Sequence, residues 1–161
     1  VAVAIDPENQ ETTARNLSVR LLELARSLAD TATGELSIVS CWEYAFEHYL
    51  RHNAWVPAAE SDIGSKVAEA QANHRAELDK LIEAAGLQGR YRVYHERGEA
   101  DDVIPDFVKQ RDINILVMGT LARTGIPGFV IGNTAENILQ HLNCSLVALK
   151  PSDFVSPVKA H

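Results

Sequence analysis

The sequence predicts an α/β domain: a doubly wound, five-stranded parallel sheet of Rossmann-like build. Three observations carry this. Short apolar runs alternate with longer stretches whose apolar residues recur at helical spacing. Each connection between runs is long enough to hold the helix that a parallel crossover needs. The chain has 161 residues, 46% of them hydrophobic, which suits one domain with a substantial core.

Val1 to Ile5 is continuous and apolar up to Asp6-Pro7, as in a strand buried on both faces. From Thr12 to about Ala32, Leu17, Leu21, Leu24 and Leu28 fall on one helical stripe, and Gly34 closes it. Leu36 to Trp42 reads as the second strand. After an irregular stretch, Glu43 to Ser61, a second helix is marked by Ile63, Val67, Ala70, Leu78, Leu81 and Ala85 and stopped by Gly86. Tyr91 to His95 alternates and is more polar, so it is placed at a sheet edge. Asp101 to about Gln110 is a short helix, with Pro105 expected near its first turn. Asn114 to Gly119 forms the fourth strand, Asn133 to Leu142 the last helix and Ser145 to Leu149 the fifth strand. The strongest runs, the first and fourth, are placed centrally. The tail beyond Pro151, residues 152–161, has little periodicity and is expected to be a loose end.

The formal net charge of −7 gives no field that would draw the chain to nucleic acid or an anionic membrane. No apolar stretch is long enough to span a bilayer. Two cysteines, Cys41 and Cys144, are too few for a disulfide framework and suit a reducing cytoplasm, which is the expected location.

Four of the nine glycines lie between Gly119 and Gly132, where the fourth strand hands over to the last helix. In an open parallel sheet, ligands bind beyond the carboxyl ends of the strands, where the strand order reverses. Glycine lets backbone approach a ligand, and the free N–H groups at a helix start favour an anion, phosphate above all. Asn133 and Glu136 have capping-box spacing, with Asn133 as the expected cap. A glycine-rich turn before a capped helix is equally complete without any ligand. The loop has neither the Gly-Lys-Ser/Thr of a Walker A loop nor a dinucleotide fingerprint after the first strand. Arg123 is its one cation.

Across the whole chain, from Val3-Ala4-Ile5-Asp6 to Leu146–Pro151, the sequence resembles the universal stress protein family. Nucleotide-binding members of that family carry G-x-x-G-x9-G-[S/T] at this loop. Gly119 and Gly132 take the outer positions, Ala122 stands for the middle glycine and Asn133 for the serine or threonine. Val103–Asp106, Arg123–Ile126 and Gly132–Glu136 most resemble the carboxy-terminal half of the tandem-domain E type. Since the chain starts at Val1 without methionine, a second half of a tandem protein is the expectation.

The resemblance implies the strand order 3-2-1-4-5, the adenine nucleotide alpha hydrolase-like arrangement, with residues 1–151 as the universal stress domain. It implies ATP or a related adenine nucleotide as a ligand, though none is required. Asp6 and Cys41 would lie near the adenosine, Met118 and Gly119 beside base and ribose, and Gly132, Asn133 and Thr134 at the phosphates; Ala122 and Arg123 belong to the same loop. From the residues alone, Asp6 also fits an ordinary Asp-Pro turn. A Cβ at Ala122 predicts weakened nucleotide binding or a changed ligand. Family members pair through the last strand, which implies a homodimer, or a tandem-domain pairing, through residues 145–149.

Half of the aromatic residues, Trp42, Tyr44, Phe46, Tyr49 and Trp55, crowd the connection after the second strand. They read as a local hydrophobic cluster or as a lid over an apolar ligand. His48 and His52 have helical metal-ligand spacing, but nothing nearby completes a metal motif. His74, His95 and His141 have no nucleophile partner in the sequence, so no catalytic constellation is assigned. The reading is therefore a cytoplasmic stress-response ligand-binding and interaction domain rather than an enzyme. A dimerisation module with an apolar ligand under residues 42–55, and a slow ATP hydrolase using Asp6, are the alternatives.

Overall fold

The sheet is built outward from β1 (Ala2–Ala4), which pairs in parallel with β2 (Glu35–Trp42) on one side and β4 (Ile115–Gly119) on the other. β3 (Arg90–Arg97) lies beyond β2 and β5 (Ser145–Leu149) beyond β4, so the order is β3-β2-β1-β4-β5. The computed structural model describes residues 1–32, 34–47, 60–120 and 132–152. The fold class and strand order expected from the sequence are both present. The polar third strand does occupy an edge, although it is longer than the expected Tyr91–His95, because parallel pairing with β2 continues from Glu35↔Arg90 to Trp42↔Arg97.

Side chains of the central strands alternate between two layers, as a two-residue repeat requires. Val3, Ile38 and Val117 point into a core shared with α1 (Thr12–Ala32) and α2 (Glu60–Ala84), where Leu22 and Leu78 are fully buried. Ala2, Val39, Leu116 and Met118 point the opposite way, against Ile104 and Phe107 of α3 (Ala100–Gln110) and Ile138 of α4 (Asn133–His141). Burying one such Leu or Ile side chain contributes about 1.5–3 kcal/mol, so a strand with apolar groups on both faces is held twice over. This also explains why β1 can be only three residues long.

Local signals set the ends of the helices. Gly34 adopts φ +71° after α1, and its amide donates to Ala29 O. The buried Arg26 fastens the same corner, donating through Nη1 to Arg90 O at 2.8 Å and through Nη2 to Gly34 O at 3.1 Å and Asp30 at 2.6 Å. Pro105 departs from expectation. The amides of Asp102 and Val103 already donate to Glu99 O, so α3 starts at Ala100 and the proline sits in its second turn. Among the described residues no helix is long and apolar enough to cross a membrane.

Candidate functional site

The strand order reverses at β1, so the connections leaving β1 and β4 diverge and open a gap above their carboxyl ends. On the β1 side the backbone turns sharply: Asp6 Oδ1 accepts from Glu8 N at 3.0 Å, and Asn9 Oδ1 from Glu11 N at 3.0 Å. Asp6 therefore does serve as a turn residue, as the Asp-Pro pattern allows, while still facing the gap. On the β4 side Gly119 allows close packing. A Cβ there would come within 3.1 Å of Leu17 Cδ2, so the missing side chain lets α1 close on the strand.

Across the gap stands the start of α4. Asn133 is not its cap. Glu136 N donates to Gly132 O at 2.9 Å, which makes Gly132, in extended conformation (φ −76°, ψ 154°), the N-cap, and no side chain caps the end. The amides of the first turn thus lack intrahelical partners and carry the positive end of the helix dipole, about half a unit charge. Capping-box spacing was present in the sequence, but the cap falls where the chain leaves the extended conformation, one residue earlier.

These walls enclose a cavity of 510 Å³. Asp6, Cys41, Met118, Gly119, Gly132, Asn133 and Thr134 all line it, and so come together from four separate segments. Ala122 and Arg123 lie outside the described residues. The inner wall is apolar, with Leu17 and Leu21 from α1, Ile104 from α3 and Ile138 from α4. Sequence reasoning placed Leu17 and Leu21 on the apolar stripe of the first helix and missed their second role, because a helix face that packs on a sheet and one that also borders a cleft have the same periodicity; it did not single out Ile138 or give Ile104 a place in the site. Asn9 and Ser18 were missed as well; Ser18 is buried and returns its hydroxyl to Ala14 O at 3.1 Å.

Burial, reinforced by Glu96 and Asp6, pushes the Cys41 thiol up to about 12, so it is present as a neutral thiol and not as a nucleophile. Cys144, half-buried, is also raised by burial. No lysine or arginine appears among the described residues that line the cavity, which leaves the α4 amides as its electropositive feature. No group of three metal-ligating side chains occurs among the described residues.

The aromatic segment separates from this site. Trp42 is buried and stacks on His95, with ring centroids 5.8 Å apart and the Arg97 guanidinium 5.5 Å from its ring, while Tyr44 packs on Phe46. None of these three aromatics lines the cavity. Tyr49, Trp55, His48 and His52 lie outside the described residues.

An open parallel sheet with a cavity at its strand-order reversal, facing a helix N-terminus, defines a Rossmann-like α/β domain. The universal stress protein family model matches residues 1–150, and the chain belongs to that family. A relative from Photorhabdus laumondii, Universal stress protein E, is 28% identical over 162 aligned positions, covering 99% of this chain and 50% of its own. The chain spans about half the length of the curated relatives it matches along its length. Among solved structures, a functionally unknown protein from Pseudomonas aeruginosa PAO1 superposes with a TM-score of 0.68 at 28% identity, over 94% of this chain and 47% of that one. A universal stress protein solved in complex with cAMP shares the fold, with a TM-score of 0.55 at 15% identity over 92% of this chain and 95% of its own.

Proposed function

We propose that this chain is a ligand-binding universal stress domain whose cavity takes an adenine nucleotide, with phosphate on the first-turn amides of α4 and the adenosine toward Asp6 and Cys41. One observation carries the reading: the cavity reaches both the uncapped amides at Gly132–Thr134 and the carboxyl end of β1. A fold relative in complex with cAMP supports the choice of an adenine nucleotide over other anions. The mechanism is occupancy. A ligand bridging β1 and α4 changes the surface offered to partners at this end of the sheet. Asp6 accepts hydrogen bonds from ribose or base in this scheme, Met118 and Gly119 border the adenosine, and Ala122 and Arg123 tune the phosphate end.

The unit is read as residues 1–151 with 152–161 as a tail, acting in the cytoplasm in a stress response. It pairs through β5 with a second copy or with a neighbouring domain of a longer chain. Calorimetric titration with ATP, ADP, AMP and cAMP tests the ligand: saturable heat with at least one of them is expected, and competition among those that bind. Absence of heat from all four at millimolar concentration, with the fold intact, would remove the nucleotide from the proposal.

A further inference from the structure

A contact between two histidines closes the side of the sheet away from α4. His74 on α2 and His95 on β3 share a hydrogen bond between Nδ1 and Nε2 at 2.8 Å, their ring planes 30° apart and their centroids 4.9 Å apart. His74 is only 7% exposed and lies against the backbone of Cys41, and its Nε2 has no partner of good hydrogen-bond geometry among the described residues. His95 is held on its other flank by Trp42. Its register partner on β2 is Ser40, whose buried hydroxyl donates to Ile5 O at 2.7 Å. The pair therefore stands directly behind the cavity residues Ile5 and Cys41.

A hydrogen bond between two imidazoles needs one donor nitrogen and one lone pair. A first added proton is compatible with it, because the charged ring goes on donating. A second removes the lone pair, sets two N–H groups against each other and places two cations in contact. His74 is enclosed, so its ring has no solvent to swing into while α2 stays on the sheet, and relief of the repulsion requires α2 or His95 to move.

We propose that the His74–His95 pair is an acid-sensitive latch that holds α2 on the β2–β3 side of the sheet and opens when both rings are protonated. Groups of four kinds face it. Asp6, from the turn after β1, and the Cys41 backbone on β2 favour charge on His74. Arg75 and Asp79 of α2 and Glu96 of β3 act on His95 with opposite signs, and Arg97 adds positive charge over Trp42. The Cys41 thiol stays neutral throughout. Burial is the dominant influence and lowers both imidazoles from 6.5, with His74 and Arg75 lowering His95 further.

The sign follows from this. Below 6.5 the open state binds more protons than the closed one, so the latch is fully engaged above that value and weakens as the pH falls toward the lowered values. Its reach extends to the cavity. Glu77 of α2 accepts from Arg15 at 3.2 Å and from Gln10 at 3.5 Å, and Gln10 donates to Pro7 O at 3.0 Å, so α2 steadies the wall formed by Asp6 and Asn9. That effect on ligand rests on the function proposed above; the latch itself does not.

NMR titration of the histidine rings, with amide hydrogen exchange corrected for intrinsic rate, tests this on the unmodified chain from about pH 7.5 to about pH 5. The rings of His74 and His95 are expected to titrate as a coupled pair below 6.5. Protection at Leu78 and Leu81 should fall by up to about tenfold per pH unit for each proton taken up on opening. In a His74→Gln/His95→Gln variant, whose amides can pair without titrating, that dependence should vanish. Two rings titrating independently near their ordinary value, or α2 protection that stays flat into acid, would overturn the latch, as would an unchanged slope in the double variant. Both primary readouts come from the unmodified chain, so a variant that fails to fold leaves them decisive. Nucleotide titration near pH 7.5 judges the ligand separately.

Discussion

The two sides of β1 are built from the same alternation of strand and helix, yet they end differently. Toward β2 and β3 the structure is closed by polar groups that find one another: Arg26 on the carbonyls of Gly34 and Arg90, Arg97 on Glu47, Arg92 on Glu35 and His74 on His95. Its outer strand is eight residues long and carries Arg90, Arg92 and Arg97, charges of the kind that discourage edge-to-edge pairing. Toward β4 and β5 there is an uncapped helix start, a mostly apolar cavity and a five-residue edge, Ser-Leu-Val-Ala-Leu, without a charge. The comparison teaches that one side is closed by its own polar side chains, whereas the other, among the described residues, leaves a helix start, a cavity and a strand edge without such closure.

The closed side should be the more sensitive to loss of a single polar group. Arg26→Met keeps most of the side-chain stem but leaves two carbonyls without their donor, and is expected to cost about 2 kcal/mol in urea denaturation, or roughly 4–8 °C in Tm. A loss below about 0.5 kcal/mol would show that β3 is held by strand pairing alone and that the contrast between the sides is overdrawn. On the open side, Ala135→Leu projects extra atoms into the cavity from a buried position on α4. Nucleotide affinity by calorimetry should fall at least about tenfold, about 1.4 kcal/mol, with stability changed by less than about 1 kcal/mol because the side chain enters space already present. Unaltered affinity would place the ligand elsewhere.

How much of this was legible in the sequence follows from the range of each signal. Val1–Ile5 and Asn114–Gly119 announce central strands because burial on both faces leaves continuous apolar runs, and the polarity of Tyr91–His95 announces an edge. The strand order came from the family resemblance, since nothing local distinguishes 3-2-1-4-5 from its permutations. Gly119 and Gly132 pointed to the correct loop, but for partly different reasons: Gly119 makes room for Leu17, and Gly132 displaces Asn133 as the cap. The share of the site contributed by α1 was hidden, because Leu17, Leu21 and Ser18 look like any core-facing stripe. The histidine pair was illegible, since 21 residues separate His74 from His95 and only the packing of α2 on the sheet beside β3 brings them together.

The smallest effect is expected at the β5 edge, and it separates two kinds of cover. Ala148 is exposed on β5 opposite Met118 of β4, in a strand whose Leu146 and Val147 are only half-buried. If a second copy pairs here about a two-fold axis, Ala148→Lys brings like charges together across the junction. Like charges directly opposite one another cost about 0.2–1 kcal/mol, so self-association measured by sedimentation should weaken a few-fold and recover in high salt as the charges are screened. Monomer stability should move by no more than about 0.5 kcal/mol, since the side chain is already in solvent. Weakening that salt does not reverse would point to steric exclusion instead. A native chain that stays monomeric at high concentration would assign the edge to a neighbouring domain of a longer polypeptide, because an uncharged apolar strand half-open to water still needs a partner.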